Sequence, residues 1–174
     1  MKFDRRSEPY NFILSYTSAL QAGSRVLFLG KEHDKNAVIL AKLGVHVEVL
    51  DSDDKALLAV QEAAREANVF LITRHTRLEY WQVPHTYDAI ILGNFPLSKS
   101  KHRTLFDKIL SALAPRGIFV AKSWKDEVSK DSEQDPYNFI SLYTLFQDLP
   151  CQLLKIDKEL IGNRYLIRAV LQKN

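Results

Sequence analysis

The sequence predicts an α/β fold built on a doubly wound, mostly parallel sheet of seven strands, with a C-terminal antiparallel hairpin. Three observations lead to this prediction. Strand-like apolar segments alternate with amphipathic helical segments, which is the pattern of parallel strands joined by crossover helices. The first strand, residues 26–29, is a continuous apolar run, as expected of a strand covered on both faces. Near the C-terminus, Gly162-Asn163 lies between two strand-like segments and indicates a hairpin turn.

The other elements follow from periodicity and from end signals. Apolar residues recur with helical spacing in five segments, and short apolar runs between them indicate strands. Gly44 ends one helix, Ser52 or Asp53 caps the next, and Ser98 caps a later one. The predicted helices are residues 10–20, 36–43, 53–67, 98–113 and one that begins at Pro136. After the first strand, the predicted strands are residues 45–50, 69–72, 87–92, 118–121 (after a turn at 115–117), 151–158 and 164–172.

The composition limits the classes of protein to which this chain can belong. A chain of 174 residues is long enough for one domain with a full core. The net charge of +3 is too small to indicate a nucleic-acid partner, and the single cysteine, Cys151, excludes an internal disulfide. The five histidines show no paired ligand spacing, so no metal site is expected. No apolar run approaches a membrane span and the N-terminus has no apolar signal core, so we expect a cytoplasmic protein without a membrane partner.

The stretch from Arg25 to Asp51 contains the candidate ligand site. It reads as strand, loop, helix and strand, the opening unit of a nucleotide-binding domain. Loops of this kind usually carry several glycines, but Gly30 is followed by Lys31, Glu32, His33 and Asp34. Asp51 ends the second strand, where a carboxylate accepts hydrogen bonds from both hydroxyls of a ribose. Two alternatives stay open: the loop is an ordinary turn with Asp34 as a helix cap, and Asp51 is a cap for the next helix.

At these residues the chain resembles the class I S-adenosylmethionine-dependent methyltransferases, and within them the small tellurite-resistance-type group. The resemblance covers nearly the whole length. It is carried by five segments of this sequence: Ser7-Glu8-Pro9-Tyr10; residues 26–44, with Leu29-Gly30 and Asn36-Ala37; Val49-Leu50-Asp51-Ser52; Tyr87-Asp88-Ala89-Ile90-Ile91; and residues 105–120, with Pro115 and Gly117.

The resemblance implies a cofactor, S-adenosylmethionine, and a set of site residues. The implied cofactor contacts are Gly30, Lys31, Asp51, Ser52, Leu92 and Asn94, and the candidates for the acceptor pocket are Phe95, Arg103 and Trp124. Three departures fall on the same site. The family has an acidic residue at the position of Phe28, glycines within residues 31–34, and an acidic residue near residues 73–77, which here read TRHTR.

Two further segments offer weaker signals. Asn94-Phe95-Pro96-Leu97 faintly resembles the loop with which amino-methyltransferases bind a target amine, and its alternative interpretation is a turn with an apolar plug. Arg103 belongs to a basic segment of residues 99–108, which either attracts an anion or forms a solvated helix face.

The leading hypothesis is a methyltransferase that acts on a small molecule. The alternative is a non-catalytic protein that keeps the fold as a binding or scaffold module and has lost or altered its cofactor site. An amino-methyltransferase of nucleic acids is a distant third, because no separate DNA-reading region exists.

Overall fold

The computed structural model describes residues 8–17, 20–30, 34–93, 99–126 and 139–174. These residues form a mixed arrangement of helices and strands, as the sequence predicts. The helices are α1 (Glu8–Thr17), α2 (Asp34–Lys42), α3 (Asp54–Glu66), α4 (Lys99–Ala112) and α5 (Phe139–Gln147), with a short 3-10 helix at Leu78–Tyr80. The strands are β1 (Arg25–Gly30), β2 (His46–Asp51), β3 (Ile72–His75), β4 (Tyr87–Gly93), β5 (Leu113–Asp126), β6 (Cys151–Ile161) and β7 (Arg164–Lys173).

The seven strands form one sheet in the order β3-β2-β1-β4-β5-β7-β6. Strands β1 to β5 pair in parallel, whereas β7 pairs antiparallel with both β5 and β6. The predicted fold class is therefore confirmed, including the hairpin, whose turn holds Gly162 at φ 65°. The chain runs outward from β1 to β3 and then crosses to β4, so strand order reverses between β1 and β4. In such sheets ligands bind at the carboxyl ends of the strands next to this reversal.

Two hydrophobic clusters cover the two faces of the sheet. Alternate residues of each strand point to opposite faces. On one face, Val26, Phe28 and Val49 pack with residues of α1, α2 and α3, and we call this face A. On the other, Leu27, Leu29 and residues of α4 and α5 form the second cluster, on face B. No helix among the described residues is long and apolar enough to cross a membrane.

The predicted position of the third strand, residues 69–72, is wrong. The apolar run Val69-Phe70-Leu71 belongs to the connection after α3, and Phe70 is 82% exposed. The first amide of this run hydrogen-bonds to α3. Asn68 adopts a left-handed conformation, and the Val69 N–H donates to the Ala64 carbonyl, 3.0 Å away. That bond closes the C-terminus of α3 and leaves pairing with β2 to the more polar residues Ile72–His75.

The predicted turn at residues 115–117 also takes another form. These residues lie within β5, because Tyr87 pairs with Leu113 and the next pair is Ala89 with Ile118. β4 advances two residues over this interval while β5 advances five, so the segment bulges, with Arg116 at φ 61°. β5 then continues to Asp126, which places Trp124 inside the strand and not just beyond it. The predicted cap Ser98 and the predicted helix start at Pro136 lie outside the described residues.

Candidate functional site

The ends of β1 and β4 meet at the point where strand order reverses. Gly30 pairs with Gly93 and has φ +77°, a conformation that residues with a side chain rarely adopt. A Cβ atom added to Gly30 would lie 2.6 Å from the carbonyl oxygen of Gly93. Close approach of the two backbones therefore requires a glycine at position 30. Gly30 and Gly93 thus form a stretch of the carboxyl edge that carries no side chain, which we call the glycine step.

Asp51 ends β2 beside this step, as predicted. Leu29 pairs with Leu50, so continuing the register by one residue places Asp51 level with Gly30. Its side chain is 5% exposed, and its Oδ1 accepts a hydrogen bond from the Asp53 N–H at 3.0 Å. The capping role belongs to Asp53, whose Oδ1 accepts from the amides of Lys55 and Ala56. Asp51 is therefore not the cap of α3, which is the alternative that the sequence left open. Its carboxylate instead accepts a hydrogen bond from the residue before that helix.

The neighbouring end of β3 is basic. His75 pairs with Asp51, and its Nε2 lies 3.1 Å from the Ser52 carbonyl oxygen. Its Nδ1 lies 3.5 Å from a carboxylate oxygen of Asp54, and the Ser52 side chain is exposed. Because β3 extends to His75, the first positions after the strand are Thr76 and Arg77. A carboxylate is therefore absent from both positions that directly follow β3.

Phe28, at the position where the resemblance leads us to expect a carboxylate, is a core residue. It is 2% exposed and belongs to the cluster on face A with Val26, Leu40 and Ile91. A carboxylate at this position would need a hydrogen-bonding partner to offset its burial. Phe28 needs none and stabilises the packing of α2 on the sheet, so the substitution fits the core that surrounds it.

Asn36 is a polar residue of the site whose importance the sequence did not reveal. It lies in the first turn of α2 and is 0% exposed. Neither its amide oxygen nor its amide nitrogen has a hydrogen-bond partner among the described residues. Buried polar groups are almost always paired, and an exception calls for an explanation such as a bound ligand. The sequence offered two signals: the Asn36-Ala37 pair that carries part of the resemblance, and an amide at a position that otherwise continues an apolar helix face.

Lys122 is a second residue that the sequence pattern did not single out. It lies in β5, pairs with Gly93 across the β4–β5 ladder, and is 2% exposed. The available signal was a cation directly after the apolar run of residues 118–121. The structure places its strand next to the step formed by Gly30 and Gly93.

The structure separates the remaining predicted site residues. Leu92 is 0% exposed and packs in the cluster on face B, so its side chain lies in the core. Trp124 is partly buried near the end of β5, with the Arg164 guanidinium carbon 5.2 Å from its ring centre. Arg103 lies on the exposed side of α4 and pairs with Asp107 at 3.1 Å, which favours the solvated-face interpretation. Lys31, Asn94 and Phe95 lie outside the described residues.

A buried polar network lies nearer the amino ends of the strands. Glu48, 4% exposed in β2, accepts hydrogen bonds from Arg74 Nε and, at 3.1 Å, from the Tyr87 hydroxyl. Burial, followed by the negative charge and the hydrogen bond of Glu48, raises the pKa of Tyr87. The Tyr87 hydroxyl therefore keeps its proton and serves as a donor. The network links β2, β3 and β4, and it is three residues before Asp51 along β2.

A surface depression of about 490 Å³ lies away from the carboxyl edge. It is lined by the end of α3 and the connection to β3: Gln61, Ala64, Arg65, Asn68, Val69, Phe70 and Leu71. These residues precede β3, at the amino end of the sheet. The depression is therefore remote from Asp51 and Gly93.

Solved structures with this fold cover nearly the whole chain. The N-methyltransferase NodS from Bradyrhizobium japonicum WM9 aligns with a TM-score of 0.75 and 16% identity, over 97% of this chain and 96% of NodS. TehB from Haemophilus influenzae aligns with a TM-score of 0.76 and 15% identity over 97% of this chain, which spans 65% of TehB. The [4+2]-cyclase SpnF aligns with a TM-score of 0.76 and 12% identity, over 96% of this chain and 80% of SpnF. No protein-family model matches the sequence, and no curated protein matches it.

NodS has also been solved in complex with S-adenosyl-l-homocysteine, the demethylated form of the cofactor. The TM-scores and the near-complete coverage of this chain establish, at these identities, the fold alone. This chain has the fold of the class I S-adenosylmethionine-dependent methyltransferases.

Proposed function

We propose that this protein binds S-adenosylmethionine and transfers its methyl group to a small-molecule acceptor. The observation that carries the proposal is the position of Asp51. Its buried carboxylate lies at the carboxyl end of β2, level with the step of Gly30 and Gly93. In doubly wound sheets a carboxylate at this place binds the hydroxyls of a ribose.

The described residues fit the cofactor on three counts. Asp51 offers a carboxylate to the ribose, and Gly30 and Gly93 carry no side chain at the neighbouring ends of β1 and β4. Asn36 offers a buried amide with both a donor and an acceptor, next to the N-terminus of α2. When bound, the cofactor supplies a methyl group on a positively charged sulfur. The protein's part is to orient an acceptor in line with that methyl group and exclude water, which requires little acid–base chemistry.

The alternative is a non-catalytic binding protein with the same fold. Phe28 and the end of β3 favour it, because both lack the carboxylates that methyltransferases of this family carry there. Gly30 does not discriminate between the two, since its contact with Gly93 explains a glycine without any ligand. Folds of this kind host different chemistries, so function has to be argued from the site.

Calorimetric titration with S-adenosylmethionine and S-adenosylhomocysteine tests the proposal. We expect micromolar binding by the unmodified protein. Asp51→Asn keeps an acceptor for the Asp53 N–H but removes the charge that strengthens the ribose hydrogen bonds. It should weaken binding about 10- to 100-fold, which corresponds to about 1.4–2.8 kcal/mol.

Asp53→Ala is the matched control. It removes a carboxylate two residues away and the cap of α3, at a cost of about 0.5–2 kcal/mol in stability, but leaves Asp51 in place. We expect its affinity to stay within about twofold of the unmodified protein when both are folded. Absence of binding at millimolar concentrations of both ligands would refute the proposal and favour the non-catalytic alternative.

A further inference from the structure

The depression between α3 and β3 has no part in the proposed function, and it borders an exposed apolar surface. Leu58, 63% exposed, lies on the same side of α3 as Gln61 and Arg65, which line the depression. Phe70 also lines it and is 82% exposed. Ile72, 42% exposed, follows at the start of β3. We call Leu58, Phe70, Ile72 and the depression the α3–β3 patch.

The patch combines a projecting side chain with a hollow. The Phe70 ring lies mostly in solvent, and the depression beside it has a volume of about 490 Å³. Ala64, Val69 and Leu71 contribute apolar groups to the lining of the depression. A two-fold interface uses the same surface on both chains, so that surface must be complementary to itself. A ring next to a hollow meets this condition, because each ring can enter the hollow of the other chain.

The charges at the patch do not oppose self-association. Arg65 pairs with Glu62 at 3.0 Å, and the nearby Arg74 donates to the buried carboxylate of Glu48. Each of these two arginines therefore has a carboxylate partner in its own chain. A strongly acidic or basic partner would gain little here, whereas a second neutral, apolar patch is electrostatically compatible.

The size of the patch predicts a weak association. A buried phenylalanine removes about 150–250 Å² from solvent, so two rings supply about 300–500 Å². Leu58, Ile72 and the lining of the depression add to this area in both copies. Stable interfaces bury about 1,200–2,000 Å² in total, and the patch comes near the low end of this range. We therefore expect a Kd of about 10–100 μM, so the chain is monomeric at the low micromolar concentrations of unfolding experiments.

We propose that a second copy of this chain covers the α3–β3 patch across a two-fold axis, with the Phe70 ring of each copy in the depression of the other. Leu58 and Ile72 surround the two rings with further apolar contacts. The inference goes beyond the proposed function and does not depend on it, because the depression is remote from Asp51 and Gly93. The carboxyl edge of each copy stays outside the interface.

Sedimentation equilibrium of the full chain at about 5 to 500 μM measures the self-association. We expect a monomer–dimer equilibrium in the unmodified protein. Phe70→Lys removes the ring and brings a cation to Arg65 in the depression of the other copy, so it should weaken the dimer at least about 10-fold. Leu160→Lys is the matched control, since it adds the same cation at a 48% exposed leucine of β6, the other edge strand. It should change the Kd by less than about twofold.

A mixture of two variants tests which surfaces meet. Arg65→Glu gives the depression a carboxylate, and the 78% exposed side chain that it replaces contributes little to folding. When these chains are mixed with Phe70→Lys chains, the lysine of one copy meets the glutamate of the other. The mixed dimer should form at least about threefold more tightly than the Phe70→Lys dimer. Because the two changes lie on different chains, this recovery cannot come from a contact within one chain.

Three results would overturn the inference. A chain that stays monomeric up to about 500 μM leaves the patch to a different partner. A dimer that Phe70→Lys leaves unchanged uses another surface. A mixture that associates no more tightly than Phe70→Lys alone shows that Phe70 of one copy does not meet Arg65 of the other. Circular dichroism verifies that each variant folds, and Phe70→Ser replaces Phe70→Lys in the first measurement if the lysine variant does not.

Discussion

Replacement of Gly30 by alanine should destabilise the protein through a backbone contact that involves no ligand. Two terms contribute to the loss. A left-handed conformation costs a residue with a side chain about 1–2 kcal/mol. The new Cβ would also lie 2.6 Å from the Gly93 carbonyl oxygen, which is backbone and yields only if β1 and β4 separate. Overpacking of this kind costs about 1–3 kcal/mol, so we expect a total of about 2–5 kcal/mol.

Gly162→Ala separates the two terms. Gly162 also has positive φ, +65°, but a Cβ there would meet nothing within 4 Å. This variant should lose only the conformational term of about 1–2 kcal/mol. Urea unfolding of the unmodified protein and both variants, followed by circular dichroism, gives the free energies of unfolding.

The difference between the two variants measures the contact between Gly30 and Gly93. Equal losses of unfolding free energy in the two variants would refute the contact. Gly30 would then be explained only as a ligand-binding glycine. A larger loss in Gly30→Ala would show that stability alone accounts for glycine at this position. In that case, the evidence for a cofactor comes from Asp51 and Asn36 instead.

Two further predictions concern the core. Tyr87→Phe leaves a Glu48 carboxylate oxygen without its donor and should cost about 1–3 kcal/mol. The pKa of Tyr87 is about 10 in the unfolded chain and is raised in the folded state. Its contribution to the free energy of unfolding is therefore complete below about pH 10 and is lost as the pH rises further. Urea unfolding between pH 7 and 11 should therefore show the two proteins converging above pH 10, and a constant difference would contradict this. Phe106→Ala removes a 0% exposed ring that lies 5.6 Å from the ring of Phe119, and should cost about 3–5 kcal/mol by urea unfolding. Phe70→Ala, at an 82% exposed ring, should change stability by less than about 0.5 kcal/mol, and a comparable loss in both would contradict the assigned core.

The order of elements was predictable because it depends on local patterns. Continuous apolar runs predicted β1 and β4, and Asp53 was correctly identified as one of two candidate caps for α3. The third strand was placed wrongly because an apolar run is ambiguous without its neighbours. The amide of Val69 closes α3, and β2 then pairs with the polar residues that follow.

The candidate site was predictable only where one residue carries the signal. Asp51 could be singled out because an acidic residue that ends a second strand binds ribose in folds of this kind, and its role in binding stays a prediction. Asn36 and Lys122 were not weighed, because a single amide in a helix or a single cation in a strand is ambiguous in sequence. Their meaning depends on burial and on partners, which are properties of the packed chain.

The sequence by itself determined the fold class. Hydrophobic periodicity and turn residues act over a few positions, so they can be recognised without knowing which segments pack together. Only the tertiary structure decided what lies beside Gly30. Register across β1, β4 and β5 brings Gly93 into contact with Gly30 and places Lys122 beside Gly93. These residues are 63 and 92 positions from Gly30 in the chain (93 minus 30 and 122 minus 30), so no local pattern connects them. The physical reason is that register is set by hydrogen bonds and packing between strands distant in sequence.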